Sequence, residues 1–255
     1  MHERAAATDN LRLWAVIPAA GIGRRMRSDI PKQYLPLDEH TVIERTLQRI
    51  SMRAAISEIV VVLAQDDPYW QKQNLGWVAK PLTTVVGGKE RSDSVLCGLQ
   101  ALAGRAHDED WVLVHDAARP CVRVADIQLL INHCQADAVG GLLAVPVRDT
   151  MKQAGPGNRV DGTVSRERLW HALTPQMFRY GKLLRALQQA QRQGQAITDE
   201  AMALELAGMQ PLLVEGHADN IKITRPEDLT LAAFYLREQG EQDMYVFDVG
   251  IEDGG

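Results

Sequence analysis

The sequence predicts an α/β protein, a Rossmann-like, mostly parallel sheet flanked by helices. Three observations carry this expectation. Short β-rich runs alternate with helical patterns along the 255 residues, the order that crossover units of a parallel sheet produce. One run, Ile59-Val60-Val61-Val62-Leu63, is apolar at every position, which suits a strand buried on both faces. Loops at 19–25, 87–91 and 116–119 follow directly on expected strands, and ligands of such sheets bind beyond the carboxyl ends of the strands.

In chain order, strands are expected near 13–18, 58–64 (EIVVVLA), 82–86, 111–115 (WVLVH), 139–145 and 211–215. Helices are expected near 41–52, 91–104, 125–136, 179–193, 199–207 and 226–238. Residues 147–169 break the alternation. They are polar, lack a wide apolar stripe and contain turn signals at Gly155-Pro156-Gly157 and Asp161-Gly162. β-potential on both sides of the Gly-Pro-Gly turn predicts a protruding hairpin, since a loop this long in a compact domain is usually functional or disordered. The chain reads as one domain over 1–240, followed by an acidic, Gly-ended tail at 241–255. Partial disorder is the expectation for that tail; its patch Met244-Tyr245-Val246-Phe247 offers the alternative of an added strand.

Bulk numbers narrow the function classes. A hydrophobic fraction of 45% with 24% charged residues is ordinary for a globular protein. The net charge of −5 argues against nucleic-acid binding through a basic surface. The three cysteines, Cys97, Cys121 and Cys134, are scattered and odd in number, so a reducing compartment is expected and no disulfide framework. No apolar run reaches membrane-spanning length, and the MHERAAATDN start has no signal-type apolar core. Cytoplasmic location follows as an expectation.

The most informative run is WAVIPAAGIGRRMRSDIPKQY, from Trp14 to Tyr34. An apolar strand enters a loop of small residues, and cations follow at Arg24, Arg25, Arg27 and Lys32. Glycine permits tight bends and close approach to a ligand, successive N–H groups form an anion-binding concavity, and Arg and Lys suit phosphate. A polyphosphate cradle is the natural reading. It is not a Walker A loop, because one residue separates Gly21 from Gly23 and no Gly-Lys-Ser/Thr follows. The dinucleotide fingerprint fails too: its third small position is Met26, and the nearest acid at the required distance, Glu44, falls inside an expected helix.

From Ala19 onward, AAGxGxRM followed by PKQY resembles the signature of nucleotidyltransferases, and specifically the 2-C-methyl-D-erythritol 4-phosphate cytidylyltransferases of the non-mevalonate isoprenoid pathway. GGKERSDSV (87–95), VHDAARP (114–120), PVRDTMK (146–152), HALTPQ (171–176), ITDEA (197–201) and EGHADNIKIT (215–224) match in the family's order over roughly residues 13 to 237. The resemblance implies a fold of the nucleotide-diphospho-sugar transferase type, Mg²⁺ as cofactor, CTP and 2-C-methyl-D-erythritol 4-phosphate as substrates, and a homodimer in which the 147–169 arm reaches the neighbouring subunit's site. No nucleic acid or membrane partner is implied.

The family's roles carry over residue by residue. Arg25 and Lys32 would hold the triphosphate and stabilise its charge, beside the backbone of Ala19, Ala20, Gly21 and Gly23. Gly88 and Ser94 would read cytosine in a pocket too compact for a purine, with Ala117 also on the nucleotide; position 89, often acidic in the family, is Lys here. Asp116 would bind Mg²⁺ or lie close to it, and a strand-end His115 reads as a packed residue. Arg119, Thr150, Arg166 and Thr174 resemble acceptor-phosphate contacts, some supplied across the dimer. Asp219 would lie near Mg²⁺ or the acceptor hydroxyls, and Lys222 near the phosphates. Thr198-Asp199-Glu200 reads as a helix start with Thr198 or Asp199 as cap. Two other functions compete: a related transferase using a different polyol or sugar phosphate, and a nucleotide-binding regulator that has lost catalysis. The presence of Lys32, Asp116 and Lys222 disfavours the regulator.

Overall fold

The computed structural model describes residues 12–21, 23, 26 and 28–248, with side chains through Gly240. In chain order the elements are β1 (Leu13–Pro18), β2 (Pro36–Leu37), β3 (His40–Thr41), α1 (Val42–Ser51), β4 (Ile56–Leu63), β5 (Leu82–Val86), α2 (Arg91–Gln100), β6 (Trp111–Val114), α3 (Val124–Gln135), β7 (Gly140–Pro146), β8 (Met151–Ala154), β9 (Val160–Val164), β10 (Trp170–Arg179), α4 (Tyr180–Arg192), α5 (Glu200–Leu206), β11 (Leu212–Glu215) and α6 (Glu227–Asp248).

Seven strands make the central sheet in the order β11-β7-β10-β6-β1-β4-β5. Every neighbouring pair is parallel except those of β10, which runs antiparallel to both β6 and β7. Alternate side chains of the central strands enter opposite cores, as the two-residue period demands. Ala15, Ile17, Ile59, Val61 and Leu113 pack with Ile43 and Leu47 of α1 and Ile127 and Leu130 of α3. Trp14, Val16, Val60, Val62 and Val112 pack with Leu99 of α2, Leu183 of α4 and Leu204 of α5. Each such side chain, fully buried, contributes about 1.5–3 kcal/mol of transfer free energy. That double burial is why β4 reads as an unbroken apolar run.

β10 is the element the sequence did not disclose. Pro175 sits inside it, and proline ordinarily argues against a central strand. The ladder to β7 shifts register between Ala172 and Gln176, so Pro175 falls where regular pairing is interrupted and its missing N–H is not required. The expected hairpin is present: β8 and β9 pair antiparallel around a turn at Pro156–Asn158. α6 continues through Asp248, so the Met244–Phe247 patch is helical and does not add a strand. Residues 249–255 lie outside the described part. Among the described residues no helix is long and apolar enough to cross a membrane.

Candidate active site

The chain leaves β1 through α1 toward β4 and β5 on one side, then returns through α2 to β6 on the other. This reversal beside β1 opens a crevice at the strands' carboxyl ends, the usual ligand position in open α/β sheets. A cleft of about 180 Å³ lies there. Of the residues singled out in the sequence, Ala19, Ala20, Gly21, Lys32, Gly88, Ser94, Asp116, Ala117 and Lys222 line it. Four loops that are distant in sequence therefore meet at one site.

The first loop is fixed from several directions. The Ala19 N–H donates to the Val62 carbonyl at 2.7 Å, and the Ala19 carbonyl accepts from Gln33 Nε2 at 2.6 Å. Gln33 is buried, which accounts for the Gln in PKQ. Gly23 has φ +62°, and a Cβ there would stand 3.0 Å from Lys32 Cγ. Glycine thus supplies the left-handed conformation and admits the lysine stem. Lys32 Nζ donates to the Ile223 carbonyl at 2.8 Å. Met26, which spoils the dinucleotide fingerprint, is buried against Leu37, Val42, Cys121, Ile223 and Ala232 and anchors the loop beneath α6. Arg25, together with Arg24 and Arg27, lies outside the described residues.

The second loop approaches the first closely. A Cβ at Gly87 would meet Ser94 Oγ at 2.7 Å and Ala20 Cβ at 2.9 Å, so a side chain there would force the loops apart. Ser94 is buried and its hydroxyl donates to the Glu90 carbonyl at 3.1 Å. Asp93 caps α2 by accepting from the Glu90 N–H at 3.1 Å.

Asp116 is the electrostatic centre. Its Oδ1 accepts from Arg91 Nε at 2.7 Å, its Oδ2 lies 2.8 Å from Lys222 Nζ, and Arg119 Nε stands 3.5 Å away. Burial alone would push this carboxyl up, but Arg91, Lys222 and Arg119 overcome it and hold the group well below the usual carboxylate range. Burial likewise acts to lower Arg91, and Glu200 and Asp116 reverse it, raising the guanidinium above its ordinary value. Glu200, fully buried, accepts from Arg91 Nη1 at 2.6 Å and Nη2 at 3.1 Å. Arg91 and Glu200 are the site residues that the sequence reading missed. Asp199 does cap α5, accepting from the Met202 N–H at 3.0 Å, but its neighbour Glu200 turns toward Arg91, behind the cleft wall. An acid next to the cap was the available signal, and it reads equally well as a favourable helix-dipole charge.

The 115–119 loop is pinned to β10. The Arg119 carbonyl can only accept, so the hydrogen-bond partners assign the proton to His115 Nε2, 3.0 Å away. Nδ1 then accepts from the Thr174 hydroxyl at 3.0 Å, and Thr174 Oγ1 accepts from the Asp116 N–H at 3.1 Å. Burial lowers the His115 pKa to about 4, against the raising effect of the Arg119 carbonyl. The imidazole is a neutral strut.

The remaining expected residues stand off the cleft wall. Arg119 is buried and donates to the Asn220 carbonyl at 2.7 Å. Thr174 is buried in the strut just described. The Oδ2 atom of Asp219 accepts from Arg123 Nε at 2.9 Å and Gln239 Nε2 at 3.0 Å, while its buried Oδ1 has no hydrogen-bond partner among the described residues. Thr150 and Arg166 are exposed at the foot of the arm, where Arg166 Nη1 donates to the Arg148 carbonyl.

Comparison with known proteins places this arrangement. The family model described as IspD, 2-C-methyl-D-erythritol 4-phosphate cytidylyltransferase, matches residues 13–238. The 2-C-methyl-D-erythritol 4-phosphate cytidylyltransferase of Vibrio parahaemolyticus is 54% identical over 227 residues, covering 89% of this chain and 96% of its own. That of Pseudomonas aeruginosa is 54% identical over 217 residues, covering 85% and 92%. The solved structure of the Francisella tularensis protein of the same name superposes with a TM-score of 0.77 at 36% identity, covering 88% of this chain and 99% of that one. The chain belongs to the 2-C-methyl-D-erythritol 4-phosphate cytidylyltransferase family.

Proposed function

We propose that this protein joins CTP and 2-C-methyl-D-erythritol 4-phosphate, giving 4-diphosphocytidyl-2-C-methyl-D-erythritol and pyrophosphate. The observation that carries the reading is a single cleft walled by glycine loops, by Lys32 and Lys222, and by an ionised Asp116. An oxygen of the acceptor phosphate attacks the α-phosphorus of CTP. One P–O bond forms, the bond from the α-phosphorus to the bridging oxygen breaks, and pyrophosphate leaves with that electron pair. A phosphate monoester is largely ionised near neutral pH, so no general base is needed. Positioning and charge stabilisation do the work. Lys32, with Arg25, takes the triphosphate; Lys222 takes developing phosphate charge. Gly88 and Ser94 line the compact end that suits a pyrimidine.

Mg²⁺ fits the cleft as an ion carried in on the triphosphate. Among the described residues no cluster of three His, Cys, Asp or Glu side chains forms an all-protein cage. Mg²⁺ characteristically takes one or two carboxylates plus substrate phosphates, and Asp116 is an ionised carboxylate on the wall. Asp116 would hold the ion, which supplies neutralisation of phosphate charge when bound. The exposed Thr150 and Arg166 on the arm support a homodimer in which they complete the neighbouring acceptor site.

Purified protein with Mg²⁺ and the acceptor, offered CTP, UTP, ATP and GTP separately, should release pyrophosphate with CTP far above the rest and only when acceptor is present. Release with no nucleotide would overturn the reading. Lys32→Ala should lower turnover with folding intact, and wild-type turnover in that variant would sink the phosphate-cradle assignment.

A further inference from the structure

Glu200 is not on the cleft wall, yet it is a fully buried carboxylate directly behind Arg91, which is. An isolated ionised carboxylate is costly to bury, and here Arg91 offsets the cost through two parallel N–H···O bonds at 2.6 and 3.1 Å. The same guanidinium reaches Asp116 Oδ1 through its Nε at 2.7 Å. Beyond Asp116 comes Lys222 at 2.8 Å. The charges alternate in a row: Glu200 negative, Arg91 positive, Asp116 negative, Lys222 positive.

The division of donors matters. Guanidinium is planar, with its donors in a fixed fork. With Glu200 on the Nη1–Nη2 edge of the guanidinium, Arg91 turns its Nε edge to Asp116, and the Nε–H meets Oδ1. Oδ2 stays turned toward Lys222. Glu200 is itself fixed from behind: the Ala201 N–H donates to Gln176 Oε1 at 2.9 Å, and Gln176 Nε2 donates to Asp199 Oδ2 at 3.0 Å. The start of α5 is thus tied to β10.

We infer that Glu200 is a positioning residue: by holding the guanidinium of Arg91 it presents one oxygen of Asp116 to the cleft. The inference rests on the proposed reading of Asp116 as the carboxylate facing the triphosphate. Removing the Glu200 charge leaves the guanidinium of Arg91 free to turn, so its Nε–H is no longer held against Asp116 Oδ1 and the carboxylate loses its fixed orientation.

The test is a double-mutant cycle read by pyrophosphate release, with CTP binding measured by calorimetry and folding by thermal denaturation. Glu200→Gln should lower kcat by about 10- to 100-fold, the usual cost of losing a partner that orients a site group, while the KM for acceptor changes by less than about 3-fold, as expected when an oriented transition-state contact is lost. In an Arg91→Met background the same substitution should have no further effect on kcat. Wild-type kcat in Glu200→Gln, or an undiminished loss in the Arg91→Met background, overturns the inference. Should Glu200→Gln fail to fold, Arg91→Lys keeps a cation opposite Glu200 but lacks the planar fork that spans Glu200 and Asp116. Its kcat should fall by a similar factor, and wild-type kcat there overturns the inference equally. Asp116→Asn, measured alongside, separates the two levels. Full turnover in that variant would remove the reading of the cleft itself, whereas loss there with none in Glu200→Gln would remove only the role given to Glu200.

Discussion

The 115–119 loop, which follows β6, and the 147–169 arm, which joins β7 to β10, both leave interior strands of the same sheet, and they are built in opposite ways. Residues 115–118 are all buried, and Asp116 meets three cations within 3.5 Å. The arm's strands are almost wholly exposed, with Val160 at 66%, and pair only with each other. The loop is held by charges that burial makes strong; the arm is held by one two-stranded ladder, which is marginal alone. A loop that must present fixed groups to a phosphate is locked by its own chain. A segment whose strands are exposed and pair only with each other is what the proposed homodimer arm requires.

The largest way to break this contrast is Asp116→Ala. It leaves Arg91, Arg119 and Lys222 facing one another, and breaking such a buried pair should cost about 3–5 kcal/mol in urea unfolding. Turnover should fall by about 100- to 1,000-fold, as when a preorganised charge is removed from an active site. A variant that keeps stability within experimental error would show the loop is not locked by charge.

The next effect is acid sensitivity. His115 titrates near 4 when folded and near 6.5 when unfolded, so the unfolded chain binds the extra proton first. Stability should be full above about pH 6.5 and decline as pH falls toward 4, by about 3 kcal/mol in total. The Asp116 contribution is lost only below that window, since its folded pKa lies under the unfolded carboxylate value. His115→Gln should flatten the decline between pH 6.5 and 4; an unchanged slope would assign it to other groups.

The arm should respond in the reverse sense. Replacing residues 152–163 with a short turn should shift chemical unfolding of the subunit by under about 1 kcal/mol, because few buried contacts are lost, yet should change the sedimenting species from dimer to monomer and abolish turnover. A dimer after this deletion would place the interface elsewhere. Smallest is Val160→Ser: at an exposed position it should alter subunit stability by less than about 0.5 kcal/mol.

Much of this was legible in the sequence for identifiable reasons. The strands that became β1, β4, β6 and β7 read correctly because burial on both faces demands apolar runs, and the more exposed edge strands β5 and β11 read from short apolar runs in the β–α alternation. The cleft-lining glycines and Lys32, Asp116 and Lys222 were legible because they sit in motif loops directly after strands. β10 was not, since Pro175 and polar Thr174 and Gln176 mask a strand whose polar side chains face the loops it braces. Arg91 and Glu200 were missed because pairing across 109 positions leaves no local pattern. Their importance arises only when the fold brings the start of α2 against the start of α5.

The late arrival of β10 has a consequence for the chain during its synthesis. β6 and β1 emerge first, but β6 has its outer neighbour only once residues 170–179 have been made. Until then a buried-type apolar strand, Trp111–Val114, stands at an open sheet edge, the feature that invites pairing with other chains. The strut from Thr174 arrives with β10 itself, and the Glu200 brace and Lys222 come later still. A nascent or truncated chain ending before β10 therefore carries the recognisable signature loop and an unpaired apolar edge, with no organised site.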